Sequence, residues 1–433
     1  MMGKGITYER LSQEAVTLAC DRHERLLAGE MGGARANFAY KVLQGLDLSG
    51  RNLTDADFSG AIMHAANFSQ ANLSSTNLFA ADMRRANLSG AILRRADMRG
   101  AVLRGANLTG ADLYQADMRE GAIAQVDREK GLAVIRHEQR PGEVAEANFS
   151  GANLSNSKMT GAIAQRADFS DAVLIGARMQ RANLRGARFP GANLEGADLS
   201  GSDLSGADLS NSVLIGVNMT MCQKQGMNTE GALTDAPTGP APGADVEETA
   251  QLLKEHALWC ETEGKQGKPS IFNGCDLRGL KSLARRNLTA LQAKDAVLYG
   301  IDLEGAALQG AKLAGSDLRM ACLRGADLRG ADLTNARLNN ADLREAQLGP
   351  LLLPNDRIHP ASLERAVLRY ADLSRADLRH VNAVQADFSH ANMHGANLTQ
   401  SNLTEACLED ALMPADFRAR ARNGAAGTRG SVA

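Results

Sequence analysis

The sequence predicts an all-β solenoid, a parallel β-helix built from four-sided coils. Two periods indicate this fold class. A large apolar residue recurs at every fifth position without exception from Phe38 to Ile123, and phenylalanines recur at a twenty-residue spacing, as at Phe149, Phe169 and Phe189. Helices repeat apolar residues about every 3.6 positions and strands every second position, so neither element produces this pattern. A period of twenty that contains a period of five predicts four units per coil.

The repeating unit reads Ala-Asp/Asn-Leu-x-Gly, with clear copies at residues 106–110, 192–196 and 326–330. We call the Leu, Phe or Met the centre of the unit. The centre and the small residue two positions before it are expected to point inward, while Gly and small polar residues favour a turn in every unit. A narrow core of Ala and Leu also fits the aromatic content of only 4%. The predicted core includes Phe38, Phe58, Leu108, Phe149, Phe169, Phe189, Leu328 and Phe388.

This motif resembles that of the pentapeptide-repeat family, and the resemblance covers residues 36–219 and 272–413. It implies a right-handed quadrilateral β-helix for both stretches, which we call the first and the second array. A shared fold does not define an activity, because unrelated functions occur on the same fold. The resemblance therefore predicts architecture, and the function has to be sought in particular residues.

The breaks in the repeat predict the domain organisation. Each array is preceded by a segment with helical periodicity, and a Pro- and Gly-rich stretch separates the halves. In chain order, the predicted segments are a capping helix (1–35), the first β-helix (36–219) with an insertion (124–146), a flexible linker (220–244), a second capping helix (245–271), the second β-helix (272–417) and a disordered basic tail (418–433).

Each predicted helix is expected to cover the N-terminal end of its own array, because a β-helix leaves unpaired backbone groups at its ends. The alternative is a helix that packs beside the coils. The apolar face of the first helix is predicted to hold Leu11, Ala15, Leu18, Ala19 and Leu26, and that of the second Val246, Ala250, Leu253, Ala257 and Cys260.

The two halves of the chain share a second pattern, which indicates a duplication. His23 precedes the run Arg51-Asn52-Leu53-Thr54, and His256 precedes the similar run at residues 286–289. Trp259, the only tryptophan, lies near the end of the second helix and is predicted to pack on the first coil of its array.

Composition narrows the functional classes. The formal net charge is −2 and both arrays are nearly neutral, so direct binding of nucleic acid is not expected. The six cysteines form no CxxC pair, which favours a reducing compartment without disulfides or zinc. No catalytic or nucleotide-binding motif is present and no apolar run suggests a signal peptide or membrane span. We therefore predict a cytoplasmic protein that is not an enzyme and has no cofactor or metal.

Two irregularities are candidate contact surfaces for a protein partner. The insertion at 124–146 is predicted to be a projecting β-hairpin, in which apolar strands flank Arg128, Glu129, Lys130 and Gly131. The proline-crowded stretch Leu348–Leu363 is predicted to be a distorted coil that exposes Leu352. The alternatives are a tolerated surface insertion and a locally bulged coil.

Arginine rows are a third feature of the outward positions. The pairs Arg84 and Arg104, Arg99 and Arg119, and Arg324 and Arg344 are each twenty residues apart and share a face, with Asp columns beside them. Internal Arg–Asp ladders are the favoured interpretation, and contact with phosphate is the alternative.

The predicted function is a non-enzymatic scaffold for protein–protein interaction with an unknown partner. The alternative is a DNA mimic that binds gyrase or another topoisomerase, as the resemblance to the quinolone-resistance branch of the family implies. The near balance of Arg and Asp opposes a mimic, because duplex DNA carries a dense negative charge. A homodimer through the C-terminal coil, near Met413 and Phe417, is a further expectation.

Overall fold

The computed structural model describes residues 8–123, 138–243, 246–355, 357–415 and 417. The chain divides into two compact units, Met1–Asp235 and Ala236–Ala433, and each is described by itself. Each unit contains one array. The predicted contact residues Arg128, Glu129, Lys130 and Gly131 and the tail 418–433 lie outside the described residues.

Parallel β-bridges between successive coils build both units. Regular coils bridge residues twenty apart, with one bridge in every five residues, so a coil has four bridged sides. At each bridge the backbone bonds in both directions: the amide of Ile62 donates to Lys41 of the preceding coil at 2.9 Å, and the Ile62 carbonyl accepts from Leu43 at 2.8 Å. This ladder satisfies the backbone polar groups that a tightly wound coil buries.

The centres and the alanines fill the inside of the coils. The eight residues predicted as core are at most 1% exposed. The rings of Phe149, Phe169 and Phe189 stack in successive coils, with centroids 5.0 and 4.8 Å apart. A hydroxyl residue replaces an inward alanine at Thr76, Ser202, Ser212 and Ser316, and the hydroxyl of each donates to the carbonyl three residues earlier, so the polar group is not left unpaired.

The chain turns at a corner position two residues after each centre. This residue has a left-handed backbone, as shown by the φ of 64° at Gly110 and of 56° at Arg85. Such a φ is unfavourable for a residue with a Cβ, yet many corners carry long side chains. Several of these side chains lie over a glycine one coil later. A Cβ added to Gly305 would be 3.4 Å from Cγ of Arg285.

Helices and strands outside the ladder are few among the described residues. Helix α1 spans Gln13–Leu27, helix α2 spans Val246–Glu261, and a 3₁₀ helix spans Arg278–Leu280. Strand β1 (Glu9–Arg10) pairs in parallel with β2 (Lys41–Val42). Two antiparallel hairpins follow: β3 (Gly121–Ile123) with β4 (Glu138–Arg140), and β5 (Leu351–Leu353) with β6 (Arg357–His359). Within the described ranges, no helix has the length and apolar character needed to cross a membrane.

The first ladder is longer than its predicted range of 36–219. It continues through the bridge between Val213 and Leu233, so residues up to Leu233 of the predicted linker 220–244 belong to a coil. The apolar period does not reveal this coil because Lys224 and Thr229 occupy centre positions. The C-terminal end of the first array is therefore a coil in which Lys224 and Thr229 are polar centres and Met219 is an apolar one.

The insertion in the first array is also shifted relative to its predicted range of 124–146. Glu143 already bridges to Val102 and Ile163, and Val144 is fully buried, so the coil resumes before residue 146. The hairpin begins earlier than predicted, at Gly121, and returns through Glu138–Arg140.

The stretch Leu348–Leu363 contains an insertion and is not the distorted coil that the spacing predicts. The ladder passes directly from Asp332 to Ser362, and β5 and β6 leave the coil as a short hairpin. Leu348 is the centre of a coil unit. Leu353 and Ile358 continue its five-residue spacing but belong to the hairpin and not to a coil.

Candidate functional site

Helix α1 buries a face that overlaps only partly with the predicted one. Val16, Cys20 and His23, spaced as i, i+4 and i+7, are buried. Of the predicted face, Leu11 and Ala19 are half-buried against the core, whereas Leu18 and Leu26 are exposed. Ser12 caps the helix by accepting a hydrogen bond from the Ala15 amide. The buried face contains a histidine, so hydrophobicity alone placed the helix in the wrong rotation.

His23 joins helix α1 to the first coil of its array. The Ala36 amide donates to Nδ1 at 3.1 Å, so Nε2 carries the proton and donates to the Thr54 carbonyl at 2.9 Å. The ring is 1% exposed. Both ring nitrogens are thus used to satisfy backbone groups of the first coil.

The remaining sides of the first coil are covered by the same N-terminal segment. The side-chain amide of Gln13 both donates to and accepts from the backbone of Asp47, at 2.8 Å in each direction. The backbone amide of Asn52 donates to the Glu24 carboxylate at 2.9 Å, and that of Leu11 donates to the Val42 carbonyl at 3.1 Å. These contacts replace the missing preceding coil and block an edge that could pair with another chain.

Helix α2 repeats this arrangement in the second unit. The Ser270 amide donates to Nδ1 of the buried His256 at 2.9 Å, and the Ser270 hydroxyl donates to the Leu252 carbonyl at 3.0 Å. Burial lowers the pKa of His256, while the backbone of Thr289 raises it to a smaller extent. Nδ1 of His256 accepts from a backbone amide as Nδ1 of His23 does, which matches the duplicated sequence pattern. The buried Nε2 of His256, unlike that of His23, has no hydrogen-bond partner among the described residues.

Trp259 is half-buried on helix α2, and its ring centroid lies 5.9 Å from that of His256. Its indole nitrogen also lies close to Gly264, in the turn after the helix. Packing of Trp259 on the first coil stays a prediction. The side of the first coil that contains Asp276 is covered by the segment before helix α2. The backbone amide of Asp276 donates to the Pro240 carbonyl at 2.9 Å.

Arginine–aspartate pairs occupy the outward faces. Arg99 donates from Nε and Nη2 to the two carboxylate oxygens of Asp97, two residues earlier, at 2.8 and 2.6 Å. The same two-bonded geometry occurs at Arg84, Arg119, Arg329, Arg344 and Arg379. Pairing with arginine lowers the pKa of Asp342, for which the hydrogen bond from Arg344 is the main cause.

The hairpin β5–β6 presents an apolar surface. Leu352 and Ile358 face each other across the two strands and are 74% and 48% exposed. On the other face, Leu351 and His359 lie over Gly330 of the preceding coil, where an added Cβ would come within 2.9 Å of the Leu351 Cβ. The absence of a side chain at Gly330 thus lets the hairpin rest on the coil, with Leu352 directed away from it.

The hairpin β3–β4 projects from the first unit at the position of the predicted insertion. Its base is formed by the pairs Gly121–Arg140, Ala122–Gln139 and Ile123–Glu138. The segment that connects these strands lies outside the described residues.

Within the part of the chain that the structure describes, one group of three potential metal ligands comes together. The ligand atoms of Asp302, Glu304 and Cys322 lie within 4.8 Å of one another. Both carboxylates already accept hydrogen bonds, Asp302 from Ser282 at 2.9 Å and Glu304 from Arg324 at 2.6 Å. All six cysteines are free thiols. The group is therefore part of a polar surface network.

Comparison with known families identifies the class of protein that this fold defines. Eight copies of the family model described as pentapeptide repeats match at 42–78, 81–119, 152–191, 192–223, 294–330, 321–349, 361–382 and 384–413. These matches cover more than half of the chain, so the protein belongs to the pentapeptide-repeat family, whose fold is a right-handed β-helix.

Solved structures of the same family are similar to this chain. HetL, a protein involved in heterocyst differentiation regulation in the cyanobacterium Nostoc sp. strain PCC 7120, is 23% identical over 90% of this chain and 95% of its own, with a TM-score of 0.17. QnrB1, a plasmid-mediated fluoroquinolone resistance protein, is 19% identical over 54% of this chain and 93% of its own, with a TM-score of 0.21.

A pentapeptide repeat protein from the cyanobacterium Cyanothece 51142 is 28% identical over 30% of this chain and 85% of its own, with a TM-score of 0.23. No curated protein sequence matches the chain significantly. The comparisons thus define the fold and the family, and the function has to be argued from the surfaces described above.

Proposed function

We propose that the protein is a non-enzymatic scaffold that binds a protein partner through its projecting hairpins, with Leu352 as an anchor residue. The observation that carries this proposal is the exposure of Leu352 and Ile358 together on hairpin β5–β6. A coil built from a five-residue repeat does not need this hairpin, because the ladder closes across it. An insertion that places apolar side chains in solvent is costly unless a partner covers them.

The surrounding chemistry supports binding over catalysis. Outward carboxylates such as those of Asp97 and Asp327 are bonded to arginines, and both ring nitrogens of His23 bond the backbone. His256 is fully buried and accepts from the Ser270 amide through Nδ1, so its ring lies out of reach of a substrate. A catalytic group needs a free ring nitrogen or carboxylate within reach of a substrate. The proposal extends to hairpin β3–β4, whose connecting residues include Arg128 and Lys130.

The last coil of the second array, within the described residues, supports a homodimer through the C-terminal coil. Its centres Leu398, Leu403, Leu408 and Met413 are half-buried, whereas centres within the array are fully buried. Within the described residues, the amides of these four residues donate no backbone hydrogen bond. A second copy would cover both the apolar centres and the free edge.

The DNA-mimic alternative has less support. A mimic needs unpaired carboxylates in a dense row, but aspartates such as Asp97, Asp327 and Asp342 are each bound by an arginine. A gyrase supercoiling assay with a quinolone tests this alternative. Protection of gyrase by the protein would favour the mimic over the scaffold.

The scaffold proposal is tested by excising hairpin β5–β6. Deletion of residues 351–360 restores the twenty-residue spacing between Asp332 and Ser362, and Pro350 is replaced by Gly because a proline cannot adopt the positive φ of a corner. We expect this variant to stay folded and to lose partner proteins that the wild-type chain retains in a quantitative pull-down. The single variant Leu352→Asp should lose the same proteins, whereas equal recovery by all three chains would refute the proposal.

A further inference from the structure

One corner of the second array carries arginines with few internal partners. The corner positions of successive coils are Arg285, Gly305, Gly325, Glu345 and Arg375, in that order. Together with Glu304, Arg324 and Arg344 they line a cavity of about 370 Å³, which we call the arginine corner. A cavity of this size falls within the range of small-molecule sites.

Arginines on other faces are held by an aspartate of their own coil. In the unit Ala326-Asp327-Leu328-Arg329-Gly330, Arg329 donates from Nε and Nη2 to the two oxygens of Asp327, at 2.9 and 2.6 Å. This pairing occupies one whole edge of the guanidinium group. Arg344, on the wall of the arginine corner, is bound to Asp342 in the same way.

Arg324 differs because of one residue. In the unit Ala321-Cys322-Leu323-Arg324-Gly325, Cys322 stands where the next unit has an aspartate. Among the described residues, the hydrogen bond of the Arg324 side chain is the one from Nη2 to Glu304 at 2.6 Å. The Nε edge of Arg324 is thus not taken up by a carboxylate of its own coil.

Arg375 and Arg285 extend the same feature along the array. Arg375 pairs through Nη2 with Glu345 at 2.6 Å, and Arg285 forms no ion pair with any residue that the structure describes. Gly305 and Gly325 lie between them, and a Cβ added to Gly325 would meet nothing within 4 Å. The floor of the cavity is therefore uncovered backbone at Gly325, whereas the Arg285 side chain lies over Gly305. Guanidinium groups with vacant donors border it.

We propose that the arginine corner binds a small anion that carries several phosphate groups. Planar guanidinium donors match phosphate oxygens in pairs. Arg285, Arg324 and Arg375 belong to coils two apart, so along the axis their backbones are separated by steps of about 10 Å. Only an anion with charges spread over its length reaches more than one of them.

The acidic neighbours limit the ligand to a small size. Asp302, Asp342 and Asp372 form a row on the same face, and Glu304 and Glu345 hold Arg324 and Arg375. A long polyanion such as duplex DNA would lie across this acidic row and be repelled. A short phosphate chain can instead follow the corner.

Calorimetric titration of the full chain with inorganic tripolyphosphate at low ionic strength tests this proposal. We expect one saturable site, binding at least ten times tighter than that of inorganic phosphate, and weakening with added salt. Arg324→Gln and Cys322→Asp should each weaken binding at least tenfold, the latter because it gives Arg324 a carboxylate in its own coil. Cys322→Ser and Arg329→Gln are matched controls that should bind as the wild type does, and thermal unfolding of each variant checks that the array is intact.

Four outcomes would overturn the proposal. The first is the absence of tripolyphosphate binding at low salt. The second is equal binding by the wild type, Arg324→Gln and Cys322→Asp, and the third is a loss in Arg329→Gln as large as that in Arg324→Gln, since this would indicate diffuse surface attraction. Duplex DNA that competes at a similar charge concentration would also contradict a site for a small ligand.

Discussion

At the scale of single residues, the direction in which each side chain points decides what it does. Leu108 is fully buried, and the next residue, Thr109, faces outward and bonds Asn107. Two adjacent positions in one unit therefore have opposite roles, and the same alternation recurs through both arrays. Corner residues have a third role, because their backbone is left-handed.

The inward direction of the centres predicts a large difference between neighbouring substitutions. Leu108→Asp places an unpaired charge in the core and should lower the free energy of unfolding by at least about 3 kcal/mol. Thr109→Asp, its matched control, should change the free energy by less than about 1 kcal/mol. Denaturant unfolding of both variants measures the contrast, and similar losses in the two would contradict the assignment.

The buried histidine of the second unit predicts a dependence on pH. Burial is the main cause that lowers the pKa of His256 below its ordinary value of 6.5. The unfolded chain then binds more protons than the folded chain, so stability is complete above pH 6.5 and falls as the pH drops from there through the folded pKa. Hydrogen exchange of residues 270–289 between pH 7.5 and 5 should show faster opening at the acidic end.

A matched variant isolates this histidine. His256→Phe keeps a ring of similar bulk and removes the titrating group, so its opening should respond less to pH over the same range. If the wild type and His256→Phe change in parallel, other groups such as the paired aspartates cause the dependence.

At the scale of elements, each array is closed at its N-terminal end by a helix that imitates a preceding coil. His23, Gln13 and Glu24 supply the donors and acceptors that backbone groups supply elsewhere. The helix therefore ends the ladder by hydrogen bonding as well as by apolar packing. His256 repeats part of this arrangement in the second unit, because its Nδ1 accepts from the Ser270 amide.

The cap predicts an order among substitutions at His23. His23→Leu leaves the Ala36 amide and the Thr54 carbonyl without partners and should destabilise the first coil by about 2–5 kcal/mol. His23→Gln, which offers one acceptor and one donor as Gln13 does, should lose less. Hydrogen exchange of residues 36–54 ranks the variants, and equal protection in wild type and His23→Leu would show that the bonds do not hold the cap.

The sequence predicts the coils well and their interruptions poorly, for a physical reason. A centre such as Leu328 must be apolar wherever coils lie on both sides of it, so the period is visible. The last coil of the first array has a coil on one side only, so its centres need not be apolar. Lys224 and Thr229 therefore conceal this coil in the sequence. The hydrophobic pattern predicts the wrong rotation of helix α1, because His23 is buried for its hydrogen bonds and not for its hydrophobicity.

The candidate surface shows the same limit. Three prolines near Leu352 indicate an irregular segment, but the five-residue spacing of Leu353 and Ile358 imitates a coil and hides the hairpin. The arginine corner depends on Cys322, which stands where the next unit has Asp. This difference gains its meaning only from the structure, which shows that Asp327 binds Arg329 of its own unit.

At the scale of the whole molecule, the two arrays end differently. The first ends in a coil with polar centres, including Lys224, and Met221 beside it is freely exposed. The second ends in a coil whose centres are Leu and Met, and Leu412 on its outer face is also exposed. Terminal repeats need a polar outer face for solubility. Among the described residues, the first array ends with polar centres such as Lys224, and the second ends with apolar ones.

This asymmetry predicts self-association through the second array only. In sedimentation experiments the wild type should form a dimer, and Leu403→Asp should shift it to a monomer. Thr229→Asp, at a centre of the last coil of the first array, is the matched control and should leave the dimer intact. A wild type that is monomeric at high concentration would rule out this mode of assembly.

The central claim is that a projecting hairpin, and not the charged faces, contacts the partner. Site-specific photo-crosslinking measures this directly, with the reactive residue placed at Leu352 or, as a comparison, at Arg379 on a face of the same array. The scaffold account predicts a discrete adduct from position 352 that is absent from position 379. Adducts from position 379 alone would contradict it.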